Sequence, residues 1–151
     1  MGDNAPMKGQ PYLRNLLLQR HEWMEAQVLR AAGDSGYSYI TPGLSRLFAH
    51  MWGQPVGLSE LARRMGITRQ GVHKLGSEAA RRGLVEFIGS TDDARVVMLQ
   101  FTADGWAMSE NAARDFTAIE AALARRLGPD RLALLKELLE TPWDETDPPA
   151  T

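Results

Sequence analysis

Apolar residues recur along the chain at helical spacing in six stretches and at strand-like alternation in two. Residues 11–32 lead, with Leu13, Leu17, Met24 and Val28 on one stripe, Leu16 and Trp23 on a second, and Leu18 and Leu29 on a third. A helix apolar nearly all round needs cover on several sides, and in a chain of 151 residues the expected cover is a partner subunit. Pro11 suits the first turn of this helix and Gly33 its stop. Thr41-Pro42 predicts an N-cap followed by proline at the first helical position. That helix is expected to run to about residue 52, with Leu44, Leu47, Phe48 and Met51 inward, until Gly53, Pro55 and Gly57 break it. Ser59 is the expected cap of a short helix over residues 60–65, with Leu61 and Met65 inward. Gly66 stops that helix, and Thr68 caps the next one after two intervening residues.

A short helix, a tight turn containing glycine and a second helix form the helix-turn-helix pattern. Within the second helix, residues 69–82, Val72, Leu75 and Ala79 share one arc, while Gln70, His73, Lys74, Ser77 and Arg81 share the opposite one. No carboxylate belongs to that outer set, so it offers the donors that phosphates and base edges require. Gly71 and Gly76 lie inside this helix, each at a cost of about 1 kcal/mol relative to alanine. They read either as tolerated or as places where the backbone comes close to something. Residues 84–88 and 95–101 then alternate as strands around the polar tip Gly89-Ser90-Thr91-Asp92-Asp93-Ala94, a hairpin that behind a helix-turn-helix makes a wing. Thr102 caps a long helix over about 103–127, with Met108, Ala112, Phe116, Ile119, Leu123 and Leu127 on its stripe. Gly128-Pro129 separates it from a last helix, about 130–140, that carries Leu132, Leu134, Leu135, Leu138 and Leu139. Thr141-Pro142 ends that helix, and residues 142–151 are expected to be a loose tail. The fold class is therefore mainly α with a small β-hairpin wing.

Composition narrows the function. Apolar residues at 44% and charged residues at 24% exclude a disordered chain. The absence of cysteine excludes disulfides, thiolate metal sites and thiol redox switches. No stretch approaches the roughly 18 apolar residues of a membrane span. Residues 1–10 are polar and do not read as a signal peptide, and Pro6 stands where a myristoylation motif at Gly2 wants Ser or Thr. A cytoplasmic protein is expected. The net charge of −2 hides a division, because residues 58–82 hold six basic and two acidic side chains while residues 83–151 hold six basic and thirteen acidic ones. A basic block in an acidic chain suits a DNA reader, since only the contacting face must be positive. The three histidines, His21, His50 and His73, have no metal-ligand spacing, and neither a phosphate loop nor a nucleophile elbow occurs. No catalytic residue, metal or cofactor is expected. His21 and His50 read as half-buried or pocket-lining.

Leu58-Ser59-Glu60-Leu61-Ala62, Gly66-Ile67-Thr68-Arg69-Gln70 and Arg82-Gly83-Leu84-Val85 together resemble the winged-helix core of the MarR family of bacterial transcriptional regulators. Asp93-Ala94-Arg95, followed by Phe101-Thr102 and Gly105, is similar to the wing pattern Asp-x-Arg…Leu-Thr-x-x-Gly of that family, with Phe for Leu. The resemblance covers residues 10–141. It implies a homodimer built from the first and last two helices, a recognition helix in the major groove, a wing arginine in the minor groove, and often a small aromatic or lipophilic effector. On that division residues 8–40 and 103–141 are dimerisation helices and residues 41–102 the winged DNA-binding core of a single domain.

The candidate DNA contacts are Ser59, Thr68, Arg69, Gln70, His73, Lys74, Ser77, Arg81, Asp93 and Arg95. Arg95 suits the negative potential of a minor groove, and Asp93 can hold its guanidinium bidentately. Gln70 can read adenine, and Arg69 or Lys74 guanine or phosphate. The expected dimer interface draws on Leu13, Leu16, Leu17, Leu132, Leu135, Leu138 and Leu139. Aromatic and amphipathic residues, His21, Trp23, Tyr39, His50 and Trp52, concentrate where the first two helices and their linker should meet the core and form a candidate effector site. Two functions remain open: a homodimeric, ligand-responsive repressor on a pseudo-palindromic operator, or a winged-helix module whose basic face meets an acidic protein partner.

Overall fold

A computed structural model describes residues 11–51 and 53–147. The N-terminal segment read above (residues 1–10), Trp52 of the candidate effector site and the last four residues of the expected tail lie outside the described residues. Packing divides the chain into two compact units, Met1–Met108 and Ser109–Thr151.

The first unit contains α1 (Leu13–Asp34), α2 (Pro42–Ala49), β1 (Val56–Gly57), α3 (Leu58–Met65), α4 (Arg69–Arg81), β2 (Val85–Gly89), β3 (Val97–Phe101) and the start of α5 (Ala103–Leu127). It is a winged helix-turn-helix, the mainly helical class the sequence pattern predicts. The predicted caps at three helices form as hydrogen bonds. Thr41 Oγ1 accepts from Leu44 N at 3.2 Å, Thr68 Oγ1 from Gly71 N at 3.0 Å, and Thr102 Oγ1 from Gly105 N at 3.1 Å. Gly66 takes the left-handed conformation (φ 65°) that turns α3 toward α4.

Several boundaries differ from the expectation: α1 starts at Leu13 with Tyr12 as N-cap, so Pro11 precedes its first turn, α2 ends at Ala49 rather than near residue 52, and β3 starts at Val97 rather than at residue 95. Gly33 lies inside α1, and the left-handed turn comes at Gly36 (φ 90°), beyond the C-cap Ser35. A positive φ is needed only just past the helix end, so the later of the two glycines supplies it. Ser59 is not a cap: α3 begins at Leu58 with Gly57 in the N-cap position and no side-chain capping bond. The reason is β1, a strand of two residues that pairs antiparallel with β3 and leads directly into α3.

The sheet has the order β1-β3-β2, all antiparallel. Leu99 on β3 is opposite Val56 on one side and Phe87 on the other, and it is completely buried. Around it Leu44, Leu47, Met51, Leu58, Leu61, Met65, Val72 and Val85 complete the core. Val97 and Phe101 pack on the same core, while on the other face of the sheet Gln100 Nε2 donates to Glu86 Oε1. Gly76 allows α4 to approach: a Cβ there would stand 2.9 Å from Leu99 Cδ1 and 3.0 Å from Phe87 Cζ. The close-approach reading therefore holds for Gly76. Gly105 is tighter still, since a Cβ there would fall 1.9 Å from the Leu84 carbonyl oxygen.

In the second unit the rest of α5 turns at Gly128 (φ 98°) into α6 (Pro129–Glu140). Lys136 Nζ donates to Glu120 Oε2 at 2.8 Å, and Trp143 Nε1 donates to the Leu138 carbonyl at 3.1 Å. Leu132 is buried, whereas Leu134, Leu135, Leu138 and Leu139 are exposed.

Two glycine substitutions should separate strain from clash. Gly66→Ala meets nothing within 4 Å and suffers only its positive φ, about 1 kcal/mol. Gly105→Ala drives a methyl into backbone that cannot turn aside, for a loss of roughly 3 kcal/mol or more. Urea unfolding midpoints of the two variants check the order; equal losses would contradict it.

Candidate nucleic-acid interface

The cap at Thr68 fixes where α4 begins, and the core side of α4, through Val72, Gly76 and Ala79, fixes how it is rotated. Those two constraints turn Thr68, Gln70, Gly71, His73, Lys74, Ser77, Glu78 and Arg81 onto one open, concave surface. The wheel-derived set is all present, with one correction. Glu78 joins the rim of the concavity, so this face is not free of carboxylates. At 100° per residue Glu78 falls on the flank of the outer arc rather than its centre, and a concave surface includes the flank. Arg69 is exposed in the first turn of α4 but does not line the concavity. Ser59 is exposed in the first turn of α3.

His73 is held from two sides. Its ring lies against Phe87 of β2, with centroids 5.1 Å apart and planes 32° apart, and its Nδ1 is 3.4 Å from Ser77 Oγ. On the wing, Asp93 Oδ1 accepts from the backbone N–H of Arg95 at 3.0 Å and from its Nε at 3.2 Å, while Oδ2 accepts from Nη2 at 3.3 Å. These bonds from Arg95, the side-chain ones first, hold the Asp93 carboxyl below its ordinary range. The Arg95 side chain is 91% exposed, so the pair aims the guanidinium without covering it.

The basic block of residues 58–82 divides by task. Arg63 and Arg64 both bond Glu60, and Arg64 Nη1 also reaches the His50 carbonyl at 2.9 Å. Arg46 Nη2 reaches the Met65 carbonyl at 2.6 Å in the opposite direction, so two arginines stitch α2 to α3. Arg82 lies over the Tyr39 ring at 4.4 Å. Lys74 and Arg81 remain on the concave face. Charge counting alone cannot make this division, because only packing tells a structural arginine from one presented to a ligand.

The described candidate effector residues come from separate elements: α1, the segment before α2, and the end of α2. His21 and Trp23 are exposed on α1, against the half-buried expectation for His21, because α1 buries none of its residues in the single chain. Tyr39 is half-buried beneath Arg82, and burial, then Tyr37, pushes its phenol up. His50 follows the end of α2, where burial and the charges of Arg46 and Arg64 push its imidazole down. Among the expected interface leucines, Leu13, Leu16, Leu135, Leu138 and Leu139 are exposed and Leu17 half-exposed. Leu132 does not belong with them, because it faces inward and is buried within its own chain. Three features were not read from the sequence: the grip of Phe87 on His73, the carboxylate at the rim, and Trp106 lying against Gly53. Only Gly76 carried a signal for the first.

No protein-family model and no curated protein matches the chain. Solved structures do match its fold. MarR from E. coli superposes with a TM-score of 0.70 at 18% identity, covering 86% of this chain and 96% of that one. The transcriptional repressor CouR, bound to a 23-mer DNA duplex, gives 0.70 at 22% identity, covering 85% and 89%. NadR in complex with 4-hydroxyphenylacetate gives 0.69 at 23% identity, covering 89% and 95%. The chain thus has the winged-helix fold of MarR-type transcriptional regulators. Among the described residues no helix is long and apolar enough to cross a membrane, and no group of three His, Asp or Glu side chains is gathered as a metal site.

Hydrogen bonds from Arg63 and Arg64 hold the Glu60 carboxyl down at about 2, against its ordinary 4.5. A depressed carboxyl stabilises the fold above pH 4.5 and loses that contribution as pH falls towards 2. Glu60→Gln should therefore be less stable than the parent above pH 4.5, with the difference fading towards pH 2. Urea midpoints across that range check it, and a gap that persists at pH 2 would contradict the assignment.

Proposed function

We propose that the protein is a DNA-binding transcriptional regulator that acts as a homodimer on a pseudo-palindromic operator, most simply as a ligand-responsive repressor. The observation that carries this reading is the pairing of two separate donor elements in one unit. One is the concave face of α4, with Gln70, His73, Lys74, Ser77 and Arg81; the other is the wing, where Asp93 holds an exposed Arg95. A winged-helix fold shared with a repressor bound to duplex DNA supports the same reading. In it residues 41–102 are the DNA-binding core, and residues 8–40 and 103–141 the dimerisation helices. Thr68, Arg69 and Ser59 contribute phosphate or base contacts. The chain is a cytoplasmic non-enzyme. The effector is a small aromatic acid or lipophile, consistent with the 4-hydroxyphenylacetate complex of a protein of the same fold. Its site would draw on His21, Trp23, Tyr39, His50 and Trp52, and it would act only by favouring one spacing of the two recognition helices.

The dimer follows from exposed apolar surface. Leu13, Leu16 and Leu18 on α1 and Leu134, Leu135, Leu138 and Leu139 on α6 are all exposed in the single chain. On each helix these are large apolar side chains that a partner subunit would cover. Sedimentation should give a dimer at micromolar concentration, and Leu138→Glu should shift it toward monomer. A folded parent that sediments as a monomer would sink the dimer.

On DNA the half-sites should lie about 10 bp apart, one helical turn. Arg95→Ala should weaken binding to operator and unrelated duplex alike, because the wing reads groove width and potential. Gln70→Ala should instead flatten discrimination among operator variants by about 1–3 kcal/mol. Affinity should fall steeply with salt as counterion release is lost. Gel shifts with DNA flanking the gene test all three; absence of binding at low salt would favour a protein-contact module.

A further inference from the structure

His73 is the member of the concave face that is gripped from the wing. Its ring packs on Phe87, 5.1 Å between centroids, and its Nδ1 faces Ser77 Oγ at 3.4 Å one turn along α4. Phe87 is fixed in its turn, opposite the buried Leu99 and with its Cζ 3.0 Å from where a Cβ on residue 76 would stand. The glycine thus lets the aromatic ring lie on α4, and the ring sets the imidazole. An exposed side chain ordinarily samples several rotamers and loses that freedom when it binds. A histidine resting on a ring face, with one nitrogen 3.4 Å from a hydroxyl, has less of that freedom left to lose. With Nδ1 engaged by Ser77, Nε2 is the nitrogen left for a ligand.

We infer that His73 is a specificity-determining residue of the DNA interface proposed above, reading one base-pair edge per half-site through Nε2, and that Phe87 and Ser77 are its positioning residues. The inference rests on that DNA reading. When Ser77 donates to Nδ1, Nε2 carries the proton and suits the major-groove acceptors N7 and O6 of guanine or O4 of thymine. A phosphate contact would not need the ring to be preset, because phosphate oxygens accept from many directions and carry no sequence information.

The test is selection from a duplex library randomised across the half-sites, with affinity for random duplex and the thermal midpoint measured beside it. His73→Ala should lower the preference at one base position of each half-site by about fivefold to tenfold. The preferences at the other positions should persist, and affinity for random duplex should fall by less than affinity for the preferred site. Phe87→Leu, which keeps the histidine but frees it, should lose part of the same preference at the same position, and Phe87→Tyr should retain it. Ser77→Ala, which leaves the Phe87 packing intact, should repeat the partial loss even if Phe87→Leu folds poorly. If His73→Ala weakens all sequences alike, or leaves every base preference in place, the inference is overturned while the DNA reading stands. If the parent protein itself shows no preference among sequences, the DNA reading fails and the role of His73 with it.

Discussion

The distance between α4 and the sheet is set by a missing side chain, and most of the first unit depends on it. Gly76 brings the helix backbone down onto Leu99 and Phe87. Leu99 is in turn the residue that β1, β2 and α4 share, through Val56, Phe87 and Gly76. A glycine within a helix is unfavourable by about 1 kcal/mol, but full burial of a leucine contributes roughly 2 kcal/mol. The local defect is offset by what it allows to pack. The same logic operates with less tolerance at Gly105, where the start of α5 crosses the carbonyl of Leu84. Both glycines belong to the shape of the core rather than to its flexibility.

Once α4 is held there, electrostatics sorts the cations. Arg46, Arg64 and Arg82 are spent inside the unit, on the carbonyls of Met65 and His50 and on the ring of Tyr39. Such bonds to helix-terminal carbonyls satisfy acceptors that a short helix leaves open. What the molecule shows outward is therefore less positive than its local charge count suggests, but more directed. Asp93 and Glu78 place a negative charge beside the two outward elements. A carboxylate next to a guanidinium lowers the local potential yet narrows the directions in which the arginine can donate.

Helices were legible because their signals are local: Thr41, Thr68 and Thr102 cap as their positions suggest, and Gly66 and Gly83 take positive φ where the chain must turn. The errors have physical causes. β1 has two residues, too few for alternation to show, and missing it displaced the expected cap of α3 from Gly57 onto Ser59. Gly33 and Gly36 are equivalent by type, and only the end of α1 distinguishes them. At the candidate site, the outward face of α4 could be read from a 100° wheel, and the Asp93–Arg95 pair from its spacing. Leu132 could not be told from its neighbours, since in a leucine-rich helix which leucine turns inward depends on tertiary contacts. Nor could the sorting of arginines or the contact of Phe87 with His73 be read, because residues far apart in sequence meet there only after folding.

The two-residue strand β1 also has a mechanical meaning. Val56 and Gly57 stand opposite Leu99 and Met98 on the wing in an antiparallel pairing, while three residues before Val56, Gly53 lies against the ring of Trp106 in the first turn of α5. A short span of chain is thus clamped at one end to the wing and pressed at the other by a helix. The wing and the first turn of α5 are therefore joined through this span by contacts at both its ends. The span from Gly53 to Gly57 is a five-residue link between wing and helix, stiffened at its wing end by two residues paired in the sheet and at its other end by an aromatic ring on a backbone that has no side chain to cushion it.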